Sequence, residues 1–549
     1  MPPSDNFDLL ILNGRIIDGS GSPWYAGDVG IEAGRISCIG RLSQATAPQT
    51  VDAGGSFVTP GLIDIHTHSD LTLLVESGAA STVAQGVTTQ VIGNCGVSAA
   101  PTRDREIYYG PLDPTMTRGL ECDWIGLGDY FQRLEAEGVG TNVASLVGHG
   151  NIRVAAMGYD DRPPTPAEMN RMKELTAQAM EDGAVGLSSG LAYAPGPYAG
   201  LDELIELGRV AGEYGGLYTS HIRNQTEGIA AAVAEVIAVG EEAGITAHVS
   251  HMQPGSPRLG GTADLLNTID EARRRGVDVS CDAIPYTVGS TTLKSLLPPW
   301  ACEGGDDALL KRLRDAAVRQ NIKEDTMTHG AESGGSRKRN LVKDGSWDLI
   351  WLGSGEANAH LVGKSFREIG QIRGQDPHDA VLDILLEESA RPWMLAEDVS
   401  EEDFRNIARH VSGGVISDGF SLVPEGVLAE GKHHPRSYGA FPYFLRHFIR
   451  DQQILTWEEA IHKLTGYAAV RFGLKDRGFL REGAWADLLV FDPGTIGERA
   501  DFDDPYRYPE GIDTVLVNGE LAVAEGQLQN ALAGSILRGR GSQSAAPRW

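Results

Sequence analysis

The sequence predicts an α/β protein in which a (β/α)8 TIM-like barrel carries a small β-sandwich domain and an insertion after barrel strand 7. Three observations support this fold class. Eight short apolar runs alternate with amphipathic stretches, both chain ends are rich in short strand-like segments, and the chain has 549 residues. A bare barrel needs roughly 250 residues, so the remaining length has to form attachments.

The two chain ends share a pattern of short strands separated by turn residues. The segments are DLLILNGRIID, AGDVGIEAGRISCIG and TVDAGGSFVTP near the start, and ADLLVFDP and IDTVLVNGELAVAEG near the end. Because chain termini often lie close together, we expect both ends to join in one small sandwich formed from residues 1–58 and 476–549. The barrel then occupies residues 59–475.

The middle of the chain contains eight apolar runs that end in polar residues, each followed by a helical stretch. Strands that alternate with helices indicate parallel βαβ units, and eight units predict a closed barrel with its active site at the C-terminal strand ends. The runs are 62–68, 88–95, 142–150, 184–190, 216–222, 247–252, 277–283 and 414–419.

The seventh and eighth runs are separated by a long gap, at about residues 284–413. We predict that roughly residues 284–350 form an insertion beside the site, with a mobile loop in the polar, Gly-rich stretch 329–340. The segment DAVLDILLEES (379–389) has the apolar spacing of a helix, and we assign it to the barrel.

Composition excludes several classes of partner. The formal net charge is −28 with a pI near 4.9, so nucleic acid and anionic membranes should be repelled. The five cysteines are scattered and odd in number, which is typical of reduced cytosol rather than of a disulfide framework. The first residues lack the pattern of a signal peptide, and no window reaches the roughly 20 apolar residues of a membrane span. We therefore expect a soluble cytoplasmic protein that acts on a small molecule.

Six chemically active side chains stand at the ends of five apolar runs. Taken singly, each has a structural explanation, as a core histidine, a buried cysteine or a capping aspartate. A barrel brings the C-terminal ends of its strands into one mouth, and histidine and cysteine are the ligands that zinc prefers. The residues are His66, His68, Cys95, His221, His251 and Asp418.

This set predicts a catalytic zinc site. Cys95, His221 and His251 would supply three protein ligands and leave a position open, as catalytic zinc sites do, and a thiolate shared between two positions could bridge a metal pair. Zinc lowers the pKa of a bound water to about 7. Asp418 can then act as the general base for attack on a carbonyl and as the acid toward the leaving nitrogen.

Two further residues near strand ends leave both interpretations open. His149 ends the third run, where a histidine can stabilise an oxyanion or, equally well, have a purely structural role. Tyr193 lies in the Gly-rich segment after the fourth run, where a phenol can bind substrate or pack a loop.

The motifs resemble those of the amidohydrolase superfamily and, within it, of the N-acyl-D-amino-acid deacylases, or D-aminoacylases. HxH marks the superfamily, whereas GNCG and HPR-Y-G-x-FP are more specific to the deacylases. The similar segments cover nearly the whole chain and are PGLIDIHTHSD (60–70), GNCGVS (93–98), LVGHG (146–150), GLSSGLAYAPG (186–196), YTSHIRN (218–224), VSHM (249–252), ISDG (416–419), HHPRSYGAFP (433–442) and ADLLVFDP (486–493).

The resemblance implies a barrel capped by a two-part β-sandwich. It also implies a tight zinc at Cys95, His221 and His251, a second, weaker metal near His66 and His68, and Asp418 as general base and acid. No lysine ends the fourth run, so a carboxylated lysine bridge is not expected, and Cys95 would take its place.

Two positions depart from the deacylase pattern, and both fall where the amino-acid half of the substrate should bind. Gln253 replaces the usual lysine, and Ile284 the first tyrosine of Tyr-Pro-Tyr. The substrate carboxylate then needs another cation, for which the candidates are Arg223, Arg258, Lys294 and Arg436, each of which is equally explained as a solvated side chain. The candidate hydrogen-bonding groups are Tyr193, Tyr286 and Ser290.

The sequence thus predicts a zinc-dependent hydrolase that cleaves the amide bond of an N-acyl amino acid, with a D-amino acid as the expected amine half. A cyclic amidase or carbamate hydrolase on the same scaffold is the alternative enzyme. A barrel that has lost catalysis and only binds or assembles is the alternative from another class, but it predicts missing ligands, whereas the expected ones are present.

Overall fold

The computed structural model describes residues 7–110, 112 and 114–542. The strands in chain order are β1 (Leu9–Ile16), β2 (Tyr25–Glu32), β3 (Arg35–Gly40), β4 (Gln49–Asp52), β5 (Phe57–Pro60), β6 (Leu62–Asp64), β7 (Val87–Ile92), β8 (Asn142–Gly148), β9 (Gly186–Gly190), β10 (Leu217–His221), β11 (Thr246–Val249), β12 (Val279–Ala283), β13 (Val288–Thr292), β14 (Ile350–Leu352), β15 (Trp393–Glu397), β16 (Gly413–Val415), β17 (Leu488–Phe491), β18 (Ile512–Val517), β19 (Glu520–Ala524) and β20 (Gln527–Leu528).

The α-helices lie mostly between the barrel strands and in the insertion. In chain order they are α1 (Ala80–Val83), α2 (Leu127–Glu137), α3 (His149–Met157), α4 (Pro166–Asp182), α5 (Leu201–Glu213), α6 (Ile229–Ala243), α7 (Thr262–Arg274), α8 (Gly305–Leu313), α9 (Ala316–His329), α10 (Arg339–Lys343), α11 (Phe366–Arg373), α12 (Pro377–Glu387), α13 (Glu401–Arg409), α14 (Arg436–Tyr443), α15 (Trp457–Leu464) and α16 (Gly466–Arg471). No helix in the described ranges is both long enough and apolar enough to cross a bilayer.

Eight parallel strands form the barrel in the order β6 to β12 and then β16. A parallel bridge between Thr67 and Gly419 joins the first strand region to the last, which brings the two edges together. The strands are buried almost throughout, as expected for parallel strands covered by helices. Each of the eight predicted runs overlaps a barrel strand, so the TIM-like barrel is confirmed.

Both chain ends contribute to one nine-stranded sheet, as predicted. The antiparallel pairing of β5 with β17 joins the N-terminal strands to the C-terminal ones. Apolar side chains from both ends, including Ile16, Val58 and Leu488, share one buried cluster. The separate β-domain is therefore confirmed, while its boundaries at residues 58 and 475 remain predictions.

The insertion after the seventh strand extends well beyond residue 350. Strands β13, β15 and β14 form a separate antiparallel sheet, and buried residues between 293 and 396 form one hydrophobic cluster. Helix α12, which overlaps most of the predicted barrel helix 379–389, packs in this cluster, so that assignment was wrong. Helix α13 instead packs on β12 and β16 as the barrel helix. Apolar spacing shows that a helix buries one face but not which layer receives that face.

Candidate metal centre

Three side chains from separate barrel strands converge at the mouth of the barrel. Cys95 follows β7, His221 ends β10, and His251 follows β11. The Cys95 sulfur lies 3.7 Å from Nδ1 of His221 and 3.4 Å from Nε2 of His251, and these two nitrogens are 3.1 Å apart. All three residues are buried. Because the barrel gathers its C-terminal strand ends, residues distant in sequence form one compact donor group.

The Cys95 sulfur also belongs to a second donor group with His66, His68 and Asp418. It lies 3.3 Å from Nε2 of His66, while Oδ1 of Asp418 lies 3.3 Å from Nε2 of His66 and 3.1 Å from Nε2 of His68. Within each group the donor atoms all lie within 4.8 Å of one another. Thiolate, imidazole and carboxylate are the ligands that zinc takes, so the residues present fit one zinc ion or a pair that shares the sulfur.

The backbone is strained at three of these residues. Cys95, His251 and Asp418 have φ values of 52°, 33° and 52°, in the left-handed region that side chains other than glycine seldom adopt. Such conformations persist where the surrounding structure enforces them, and they cluster at functional sites. The bends turn these side chains into the barrel mouth immediately beyond the strand ends.

Hydrogen bonds around the donor groups fix the orientation of the ligands. One carboxylate oxygen of Asp282 accepts from the backbone N–H of His251, and the other accepts from Nε2 of His248 at 2.7 Å. Nδ1 of His251 lies 3.4 Å from the amide nitrogen of Gln225, which leaves Nε2 of that ring directed at the Cys95 sulfur. Supporting partners of this kind hold metal ligands in place.

The electrostatic environment favours metal binding. Burial lowers the pKa of His221 to about 3 and that of His251 well below its ordinary value, so both rings are neutral near pH 7 and can donate to a metal. Burial also raises the pKa of Cys95 well above its ordinary range, with the charge of Asp418 adding to the effect. A thiolate at this position therefore needs a cation beside it, which a bound metal supplies.

Asp418 is held ionised at the edge of the donor groups. Burial would raise its pKa, but the Arg436 guanidinium, 2.8 Å from Oδ2, and hydrogen bonds from His66 and His68 hold the pKa well below the ordinary value. The carboxylate thus has one oxygen toward the histidines and the other toward the arginine. An ionised carboxylate so placed can accept a proton from a reacting group.

A cavity opens beside the donor groups and is shared between the barrel and the insertion. Tyr193 lies against His221, with ring centroids 4.7 Å apart, and its hydroxyl accepts from Thr291. The residues that line this cavity are His68, Cys95, Tyr193, His221, Gln225, His251, Ile284, Gly289, Ser290, Thr291, Ser336, Arg337, Lys338, Trp393, Asp418 and Arg436.

Comparison with known proteins identifies the family of this chain. A sequence model of a protein family, described as "Amidohydrolase family", matches residues 49–309 and 429–523, which is more than half of the chain. The chain belongs to the amidohydrolase family. Within that family its relatives are the N-acyl-D-amino-acid deacylases, as the sequence motifs predicted.

Two relatives and one solved structure show the extent of the similarity. N-acyl-D-glutamate deacylase of Alcaligenes xylosoxydans xylosoxydans is 37% identical over 99% of this chain and 99% of its own. D-aminoacylase of the same organism is 34% identical over 97% of this chain and 98% of its own. The crystal structure of N-acyl-D-glutamate deacylase from Bordetella bronchiseptica contains zinc and a phosphonate inhibitor that mimics the tetrahedral intermediate of its reaction. It is 34% identical, with a TM-score of 0.80, and the match covers 97% of this chain and 100% of that chain.

Three of the predicted substrate contacts of this amidohydrolase lie at the cavity. Tyr193, Ser290 and Arg436 line it. Ser290 accepts a hydrogen bond from the indole of Trp393, and Arg436 pairs with Asp418. Arg436 is therefore committed to the carboxylate of the chain itself.

Five of the other predicted substrate contacts have partners elsewhere in the amidohydrolase, and the sixth, Arg258, is exposed, which corrects those predictions. None of these six is among the described residues that line the cavity. They are His149, hydrogen-bonded to Glu203; Arg223, paired with Glu235; Gln253, bonded to the backbone of Ile284; Arg258, exposed; Tyr286, stacked on Tyr443; and Lys294, paired with Asp306.

Among the cavity residues of this amidohydrolase that were not predicted from the sequence are two cations, Arg337 and Lys338. They lie in the stretch 329–340 that we predicted to be a mobile loop, yet the structure buries both and forms helix α10 directly after them. The signal available was the run SRKRN, which has three consecutive basic residues in a chain of net charge −28. Charge alone does not distinguish a buried cation from a solvated one, since its partner Asp398 lies 60 residues away in the sequence.

Proposed function

We propose that this chain is a zinc-dependent hydrolase that cleaves the amide bond of an N-acyl-D-amino acid to give a carboxylate and a free amino acid. The observation that carries the proposal is the pair of buried donor groups that share Cys95, one of which includes a carboxylate, Asp418, that Arg436 holds ionised. The relatives named N-acyl-D-glutamate deacylase and D-aminoacylase support the choice of substrate class.

In this proposal Cys95, His221 and His251 hold a tightly bound zinc, and His66 and His68 belong to a second, weaker position. Zinc would supply a Lewis acid that polarises the substrate carbonyl and makes water easier to deprotonate. Asp418 takes the proton from the attacking water and delivers it to the leaving nitrogen. The Arg436 guanidinium keeps Asp418 in the ionised form that this step requires. Tyr193, beside His221, lies where its hydroxyl can orient the substrate.

We also propose a cytoplasmic location. All five cysteines are free thiols, and this state is typical of a reducing compartment.

Turnover on matched substrates tests the proposed reaction. We expect release of free amine from N-acetyl-D-amino acids, with much slower release from the L-enantiomers, when a panel of side chains is assayed with the zinc-loaded protein. Hydantoins serve as the comparison for the cyclic amidase alternative. Preferred turnover of hydantoins would contradict the proposal and favour that alternative.

Metal removal provides a second test. Dialysis against a chelator should abolish amide hydrolysis, and stoichiometric zinc should restore it, because the reaction depends on a Lewis acid. The melting temperature should also fall, since a ligand that binds only the native state stabilises it. Undiminished activity in protein shown by elemental analysis to be metal-free would exclude a zinc-dependent mechanism.

A further inference from the structure

The cavity that contains the proposed zinc ligands is also lined by two buried cations from the insertion, Arg337 and Lys338. Both side chains are only 6% exposed, and both line the cavity that contains Cys95, His221 and Asp418. Positive charge is costly to bury without compensation. The partners of these two side chains therefore indicate what this part of the cavity can bind.

Among the described residues, one carboxylate pairs with these two cations. Oδ2 of Asp398 accepts from Nε of Arg337 at 2.8 Å and from Nζ of Lys338 at 3.4 Å. The remaining cavity cation, Arg436, is neutralised by Asp418 at 2.8 Å. The part of the cavity lined by Arg337 and Lys338 consequently carries a surplus positive charge beside the zinc ligands.

The terminal nitrogens of the two cations meet beside a glycine. A Cβ atom at Gly289 in strand β13 would lie 3.0 Å from Nζ of Lys338 and 3.6 Å from Nη2 of Arg337. Both nitrogens thus approach the same point, and the glycine leaves room for them there. Two donors on cationic groups that flank one point suit the two oxygens of a carboxylate.

The neighbouring polar side chain on the barrel is not free for a ligand. The Gln253 amide donates to the carbonyl of Ile284 at 3.0 Å and accepts from its N–H at 2.8 Å. The backbone carbonyl of Gln253 accepts from Nη1 of Arg337 at 2.9 Å. Gln253 therefore positions Arg337. The positively charged groups in this part of the cavity that can contact a ligand are those of Arg337 and Lys338.

We propose that Lys338 and Arg337 bind the α-carboxylate of the N-acyl amino acid, and that they restrict this site to substrates with a free carboxylate beside the scissile amide. The inference rests on the proposed deacylase function and adds to it the residues that recognise the amino-acid half. Lys338 is the better residue to test, because Arg337 still pairs with Asp398 and contacts Gln253 when Lys338 is replaced.

The test compares an acid with its amide. The full-length zinc-loaded protein and its Lys338→Met variant are assayed with an N-acetyl-D-amino acid and with the corresponding C-terminal amide, which lacks the negative charge. We expect kcat/KM for the acid to fall on the order of 100-fold, mainly through KM, because a charge-assisted hydrogen bond is lost. The value for the amide should stay within about threefold, since it never made that contact. Lys343→Met, on helix α10 with its partner Glu332 at 4.0 Å, is the matched control and should change neither value.

Two results would overturn the inference. Equal losses for acid and amide in Lys338→Met would show that the residue shapes the cavity rather than binds a carboxylate. An unchanged value for the acid would show that the carboxylate binds elsewhere. Melting temperatures of the variants establish that all of them are folded.

A binding measurement separates this inference from the proposed function. Calorimetry on zinc-loaded Asp418→Asn protein, with and without Lys338→Met, does not depend on turnover. Carboxylate-dependent binding that is lost with Lys338 supports the site even if the wild-type protein deacylates none of these compounds. Equal affinity for acid and amide in the presence of Lys338 would refute the site even if deacylation is observed.

Discussion

Replacing Asp418 with asparagine should lower kcat for N-acyl-D-amino acid hydrolysis by about 10²- to 10⁴-fold, the range that positioned general acid–base groups contribute. Asparagine keeps the shape of the side chain but cannot take up the proton of the attacking water. Because the proposed tight zinc site consists of Cys95, His221 and His251, which form a donor group without Asp418, zinc content should stay near that of the wild type. The measurements are steady-state kinetics with elemental analysis of the same samples.

A control for this substitution comes from a carboxylate away from the cavity. Asp270 pairs with His410 at 3.3 Å and is partly exposed, so Asp270→Asn should retain nearly full activity. Asp418→Asn protein that is folded, zinc-loaded and still fully active would remove Asp418 from its proposed role.

Replacing Cys95 with alanine should have the largest effect of any single change, because its sulfur belongs to both donor groups. We expect the variant to purify with little zinc and to lose measurable amide hydrolysis. Two histidines that remain from the tight group are too few for a structural or catalytic zinc site, which uses three or four protein ligands. Zinc stoichiometry after dialysis is the decisive measurement.

The matched substitution is Cys122→Ala, at a cysteine whose sulfur donates to the carbonyl of Trp124. This variant should keep both zinc and activity. Full zinc occupancy in Cys95→Ala would show that Cys95 is not a ligand and that the metal lies elsewhere.

The convergence of the candidate metal ligands could be predicted from the sequence, because barrel topology determines where the strand ends meet. Each ligand follows a short apolar run, and the C-terminal ends of barrel strands meet by construction. His66 and His68 lie beyond the last residue of β6, so the loop after that strand, and not the alternation of side chains along it, brings both histidines to Asp418.

The substrate side of the cavity could not be predicted in the same way. Arg223, Tyr286 and His149 stand near strand ends, yet each is satisfied by a partner from another part of the chain. Conversely, Arg337 and Lys338 reach the cavity through the fold of the insertion and through Asp398, which is distant in sequence. Local spacing does not specify such contacts, because they depend on how the insertion packs on the barrel.

X-ray absorption at the zinc K-edge tests the central claim most directly, since it reports the atoms bound to the metal in the active protein. For protein loaded with one equivalent of zinc, we predict one sulfur at about 2.3 Å together with histidine nitrogens at about 2.0–2.1 Å. The sulfur contribution should disappear in Cys95→Ala protein that is forced to bind zinc at high concentration. A first shell made only of nitrogen and oxygen in the wild-type protein would contradict the account.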